Sequence, residues 1–171
     1  KVITAEVTAS DQSSKQIRTG RSETRSHDTM VGVVAGTPMY MAPEQARGEM
    51  NEIDEQTDLY ALGAILYDIV TGTPPQAQGS TKEILWRVAH GDLERPRDRT
   101  PEANIPAELE AVVLKAMAFE KHDRYPHVQA FQADIQAFLD GRTLIAATYN
   151  PLQLVAKWVG RHRAICATAA A

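Results

Sequence analysis

Several things are scarce in this chain, and each scarcity excludes something. There is one cysteine, Cys166, which rules out an internal disulfide framework and fits a reducing compartment. An excess of positive charge is also missing. With 18 Lys and Arg against 22 Asp and Glu, the net charge is -4, so no bulk attraction to nucleic acid is expected. Arg95, Arg97 and Arg99 crowd together, but they alternate with acids or prolines and have no aromatic residues between them. They read as solvated surface rather than a nucleic-acid patch. His122 and His127 stand five apart, on different helical faces, with no neighbouring cysteine and no third ligand, so no metal site is expected. No stretch alternates well enough to be a strand, and no internal repeat is present.

What is there suits one globular domain, or part of one. The chain has 171 residues, 43% of them hydrophobic and 23% charged, values ordinary for a soluble protein. Residues 1–35 are rich in Ser, Thr, Asp, Gln and Arg and hold few large apolar side chains. Such a segment buries little and is expected to be mobile. From Thr57 to Val70 nearly every position is apolar, the pattern of a helix buried all round. Gly72 ends it, and Pro74-Pro75 prevents its continuation. Ser80 and Glu83 have capping-box spacing ahead of Ile84, Leu85 and Val88, and Gly91 closes that helix. Residues 92–104 are charged and proline-bearing and read as a loop. Pro106 suits the first turn of a helix carrying Leu109, Val112, Val113, Ala116 and Met117. A last helix places Val128, Phe131, Ile135, Phe138 and Leu139 on one face and stops at Gly141. The expected fold is all-α.

The most specific feature is the string Gly36-Thr37-Pro38-Met39-Tyr40-Met41-Ala42-Pro43-Glu44, followed fourteen residues later by Asp58-Leu59-Tyr60-Ala61-Leu62-Gly63. A bare Ala-Pro-Glu would carry little weight. With the whole nonapeptide and the helix at this distance, the chain resembles a bacterial, membrane-anchored serine/threonine protein kinase, from the end of the activation segment into helix F. The resemblance is firm over residues 36–140. It implies an all-α fragment, helices EF to I of the kinase large lobe, whose parent domain is α+β. It further implies a mobile activation loop at 1–35, a juxtamembrane segment at 141–163 and the possible start of a transmembrane helix at 164–171. The sequence holds no Gly-rich phosphate loop, V-A-I-K-type lysine, H-R-D loop or D-F-G motif. Together with an opening Lys1, this reads as a chain cut just after the metal-binding motif. ATP and magnesium would then be bound by the parent and not by this fragment. Its partners would be protein substrates and the missing small lobe and catalytic loop.

The resemblance also assigns roles. Thr37 matches the threonine that bridges the catalytic aspartate and lysine of the catalytic loop; by itself it is a turn residue. Pro38, Met39, Tyr40 and Met41 would form the wall against which substrate docks. Glu44 and Arg124 match a buried ion pair, and otherwise are two surface charges. Asp58 opens helix F, where the helix dipole alone favours an acid; in the family it also holds the catalytic loop. Ser22, Thr24, Ser26 and Thr29 are candidate phosphorylation sites, or plain loop hydroxyls. With its partner helices missing, helix F should expose apolar surface.

Lys157, Trp158, Arg161 and Arg163 precede an uncharged run of eight residues, 164–171. A spanning helix needs about 20. The run reads either as a transmembrane start just after a cytoplasmic boundary or as an alanine-rich tail. The parent is accordingly expected at the cytoplasmic face of a membrane. A reading from another class remains beside the enzyme: a pseudokinase or docking module that binds partners without catalysis.

Overall fold

The computed structural model describes residues 37–161. Every regular element among them is helical: α1 (Pro43–Ala46), α2 (Glu55–Thr71), α3 (Thr81–Ala89), α4 (Pro96–Arg99), α5 (Ala107–Ala116), α6 (Val128–Leu139) and α7 (Pro151–Arg161), with short 3-10 turns between them. The helix punctuation follows side-chain chemistry. Asp54 caps α2, its Oδ1 accepting from the Gln56 N–H at 2.9 Å while Thr57 Oγ1 accepts from the Asp54 N–H at 3.2 Å. Ser80 and Glu83 form the corresponding box on α3. Gly72 ends α2 at φ 73°, a left-handed conformation that costs a glycine nothing sterically.

The core lies where α2 crosses α5. Leu59, Val112, Ala116, Tyr125 and Phe131 form one buried cluster. Tyr60, Ala64, Tyr67, Val113 and Met117 form a second with Ala42. Full burial of each large side chain contributes about 1.5–3 kcal/mol. The helices meet closely because of Gly63: a Cβ there would stand 2.7 Å from the Ala116 Cβ and 2.8 Å from the Met117 Cγ.

Three expectations change. First, α2 is buried on one side only. Leu62, Ile65 and Ile69 are 37%, 48% and 72% exposed, where the apolar run read as a helix buried all round. Asp58 is exposed on the same stripe. Second, residues 92–104 are not a plain loop. Pro96 starts α4, its fixed φ suiting a first turn, and a 3-10 turn spans Pro101–Ala103. Third, α6 does not bury all five of its expected residues. Val128 and Leu139 are 45% and 70% exposed, whereas Asp134 is buried.

Asp134 extends the packed body past residue 140. Its Oδ1 accepts from the Ile145 N–H at 2.7 Å, and its Oδ2 from the Ala146 N–H at 2.8 Å and the Tyr125 hydroxyl at 2.8 Å. Leu144 thereby enters the core. Next along the chain, the Tyr149 hydroxyl accepts from the Leu144 N–H and donates to Glu108 Oε1 at 2.6 Å. Burial, then the Glu108 hydrogen bond, pushes the Tyr149 phenol up to about 12. Lys157 of α7 meets the same carboxylate at 2.8 Å. Among the described residues no helix is long and apolar enough to cross a membrane.

Candidate functional site

Residues 37–44 lie across the first half of the fold as an extended entry, a turn and a short helix. Thr37 is exposed, in extended backbone at φ -86° and ψ 111°, and its hydroxyl does not cap the turn that follows. Pro38–Tyr40 form a 3-10 turn. The Tyr40 hydroxyl donates to Asp68 Oδ2 of α2 at 2.6 Å. That bond, then burial, raises the Tyr40 phenol above its ordinary 10.0. Met41 and Ala42 are buried. The turn is thus fixed to α2 at one side and to the core at its end, with Thr37 left facing outward.

Behind it sits Glu44, 1% exposed, with Arg124, 2% exposed. The pair is bidentate: Arg124 Nη1 donates to Oε1 at 2.8 Å and Nη2 to Oε2 at 2.9 Å. The remaining guanidinium N–H groups donate to three backbone carbonyls, of Ala118, Gln56 and Phe119. All five donors of the side chain are therefore used. Thr57 adds a hydroxyl to Glu44 Oε1 at 2.8 Å, so one side chain serves both the α2 cap and the ion pair. Burial alone would raise the Glu44 carboxyl. Hydrogen bonds from Arg124, its own backbone and Thr57 outweigh it and hold the group below its ordinary 4.5. The guanidinium also lies 5.0 Å from the centre of the Tyr60 ring, and burial pushes that phenol up to about 12. Lys121 closes the edge through Asp54 at 2.7 Å.

A model described as protein kinase domain matches residues 12–135. The chain belongs to the protein kinase family. In that frame α1 is the EF helix, and α2, α3, α5 and α6 stand in the order of helices F, G, H and I. Several bacterial kinases are among its relatives. The chain is 44% identical over 119 residues to the tyrosine-protein kinase MasK of Myxococcus xanthus, covering 70% of this chain and 18% of that protein. It is 35% identical over 119 residues to a probable serine/threonine-protein kinase PknB of Bifidobacterium longum, covering 70% and 17%. It is 36% identical over 121 residues to the serine/threonine-protein kinase PknB of Mycolicibacterium smegmatis, covering 71% and 19%. The chain spans less than a fifth of the length of each.

The structure brings together Glu44 and Arg124, as the kinase resemblance implies. It seats Pro38, Met39, Tyr40 and Met41 in one turn. Asp58 lies in the first turn of α2, but Asp54 is the residue that caps the helix. Gly36 and the candidate phosphosites Ser22, Thr24, Ser26 and Thr29 lie outside the described residues, as does the uncharged run 164–171. Reasoning from sequence missed Thr57, Asp68 and Asp134. For Thr57 a signal was present, since it stands three residues after Asp54 with capping-box spacing. Asp68 and Asp134 interrupt apolar helical patterns, and only a search for polar residues on buried faces would have found them.

Proposed function

We propose that this chain is the carboxy-terminal part of the large lobe of a serine/threonine kinase that transfers the ATP γ-phosphate to protein hydroxyls. The observation that carries the reading is the assembled platform: a Thr-Pro turn pinned to α2 through Tyr40 and Asp68, and backed by the saturated Glu44–Arg124 pair. Phosphoryl transfer is largely positioning and charge stabilisation, and this platform supplies positioning alone. The parent would bind ATP and magnesium elsewhere. The fragment would bind neither. Micromolar, magnesium-dependent ATP binding by residues 1–171 in calorimetry would overturn that last point.

Thr37 supports serine/threonine specificity, because its hydroxyl can bridge opposite charges of a catalytic loop. The 44% identity to a protein named a tyrosine kinase supports a second reading, in which tyrosine is the acceptor. The experiment is turnover by the parent kinase on matched peptides bearing serine, threonine or tyrosine. Serine or threonine should dominate, and Thr37→Ala should lower turnover by about tenfold or more with the fold intact. Preference for tyrosine selects the second reading. A parent that binds partners but transfers no phosphate is a docking module.

The parent is also proposed to sit at the cytoplasmic face of a membrane, anchored after Arg163. Support comes from the basic cluster, Trp158 and the uncharged run that follows. A full-length protein that stays in the soluble fraction would defeat this.

A further inference from the structure

Helix α7 is turned the opposite way from an ordinary amphipathic helix on a globular domain. Its residues advance about 100° each, which groups Leu154, Trp158, Val155 and Leu152 on one broad apolar arc. Gln153 and Lys157 lie outside it. A packed helix would bury the arc. Here the arc faces out: Leu152 is 80% exposed, Val155 59%, Trp158 49% and Leu154 45%. Among the described side chains of α7, Lys157 alone is not exposed. Its ammonium reaches Glu108 Oε1 at 2.8 Å and the Arg142 carbonyl at 2.9 Å.

Charge decides what could cover this surface. Residues 141–171 contain Arg142, Lys157, Arg161 and Arg163 and none of the chain's 22 acids. The acidic majority of the protein ends at Asp140. Arg142 pairs with Asp140 at 2.9 Å and Lys157 with Glu108 at 2.8 Å. The cations the sequence offers to lipid phosphates are therefore Arg161, at the end of the helix, and Arg163. An acid-free segment of this kind with an outward apolar arc complements an anionic lipid surface, where apolar side chains enter the headgroup boundary. Eleven residues rise about 16 Å, roughly half a hydrocarbon core, so α7 lies along such a surface and does not cross it.

We propose that α7 is a lipid-contacting helix, held to the domain by Lys157 and laying Leu152, Val155 and Trp158 on an anionic bilayer. This is independent of any spanning segment after Arg163 and of the acceptor the kinase uses. The test takes purified residues 1–171 and floats them with phosphatidylcholine vesicles, with and without about 30% phosphatidylglycerol. Flotation should require the anionic lipid and weaken with salt. Replacing the two most exposed side chains of the arc, Leu152→Glu with Val155→Glu, should cut the bound fraction about tenfold or more with an unchanged circular dichroism spectrum. In a Trp86→Phe background, Trp158 emission should shift to shorter wavelength on the anionic vesicles only. Leu152→Gln alone, a milder change, should give a smaller loss in the same direction.

Three results overturn the proposal. One is no flotation on anionic vesicles. A second is flotation that survives the double substitution, which assigns the contact to residues 164–171. The third is lipid-free protein that changes from dimer to monomer on the double substitution in light scattering, which makes a second copy the occupant of this face.

Discussion

Glu44 and Asp134 are both buried carboxylates, 1% and 2% exposed, and each ties together segments that are separate in sequence. Their partners differ in kind. Glu44 faces a guanidinium that is itself fully committed, plus one hydroxyl. Asp134 accepts from two backbone N–H groups and a phenol, and among the described residues no cationic side chain pairs with it. The ion pair fixes residue 44 to residue 124 and depends on both charges. The Asp134 cluster fixes residues 144–147 to α6 and depends on acceptor geometry. A carboxylate can therefore organise a buried junction with a counter-charge or with neutral donors alone, and the two should fail differently.

The largest difference should come from Arg124→Met, which leaves Glu44 buried without its cation. A loss of about 3–5 kcal/mol is expected in denaturant unfolding. Pairing this change with Glu44→Gln should cost less than the sum of the two single changes. Strict additivity would show that the couple is not energetically a unit.

Acid should sharpen the contrast. The folded-state Glu44 carboxyl is depressed below 4.5, so its stabilisation is present above that pH. It is lost as pH falls through the lower folded value. The Arg124→Met deficit should therefore shrink as pH falls, first above about 4.5, where the unpaired buried carboxyl takes up a proton, and further below it, where the native pair itself is lost. Equal deficits at neutral and acid pH would remove the ion pair from the explanation.

A smaller effect, about 1–3 kcal/mol, is expected from Asp134→Asn, which turns one acceptor into a donor aimed at a donor. Its signature should be local, as faster hydrogen exchange at the Ile145 and Ala146 amides with α2 unaffected. The smallest is Tyr149→Phe, about 0.5–1.5 kcal/mol. It should free the Leu144 amide to exchange and leave the Glu108–Lys157 contact in place.

How much of this was legible beforehand depended on the kind of signal. Helix ends were readable, because Ser80 with Glu83 and the glycines at 72, 91 and 141 act locally. The Glu44–Arg124 couple was reached only through the resemblance, since a separation of eighty positions carries no pairing information of its own. Apolar periodicity found the buried face of α5 and misjudged that of α6. It counts Val128 and Leu139 as core and passes over Asp134, whose burial depends on three donors arriving from elsewhere. The loop reading of residues 92–104 weighed charge and proline content and neglected that proline also starts helices. In the site, the Pro38–Met41 turn was visible, but its attachment to Asp68 was not. That bond is a tertiary contact across 28 positions.

The separation between Glu44 and Arg124 has a kinetic consequence. Joining two points eighty residues apart is entropically costly in an unstructured chain, and this guanidinium finds its carbonyls only once residues 56, 118 and 119 are in place. The junction should thus form after the folding barrier, contributing little to the speed of folding and much to the slowness of opening. Loss of Arg124 would then appear chiefly as faster unfolding, shortening the lifetime of the native state far more than it delays its arrival.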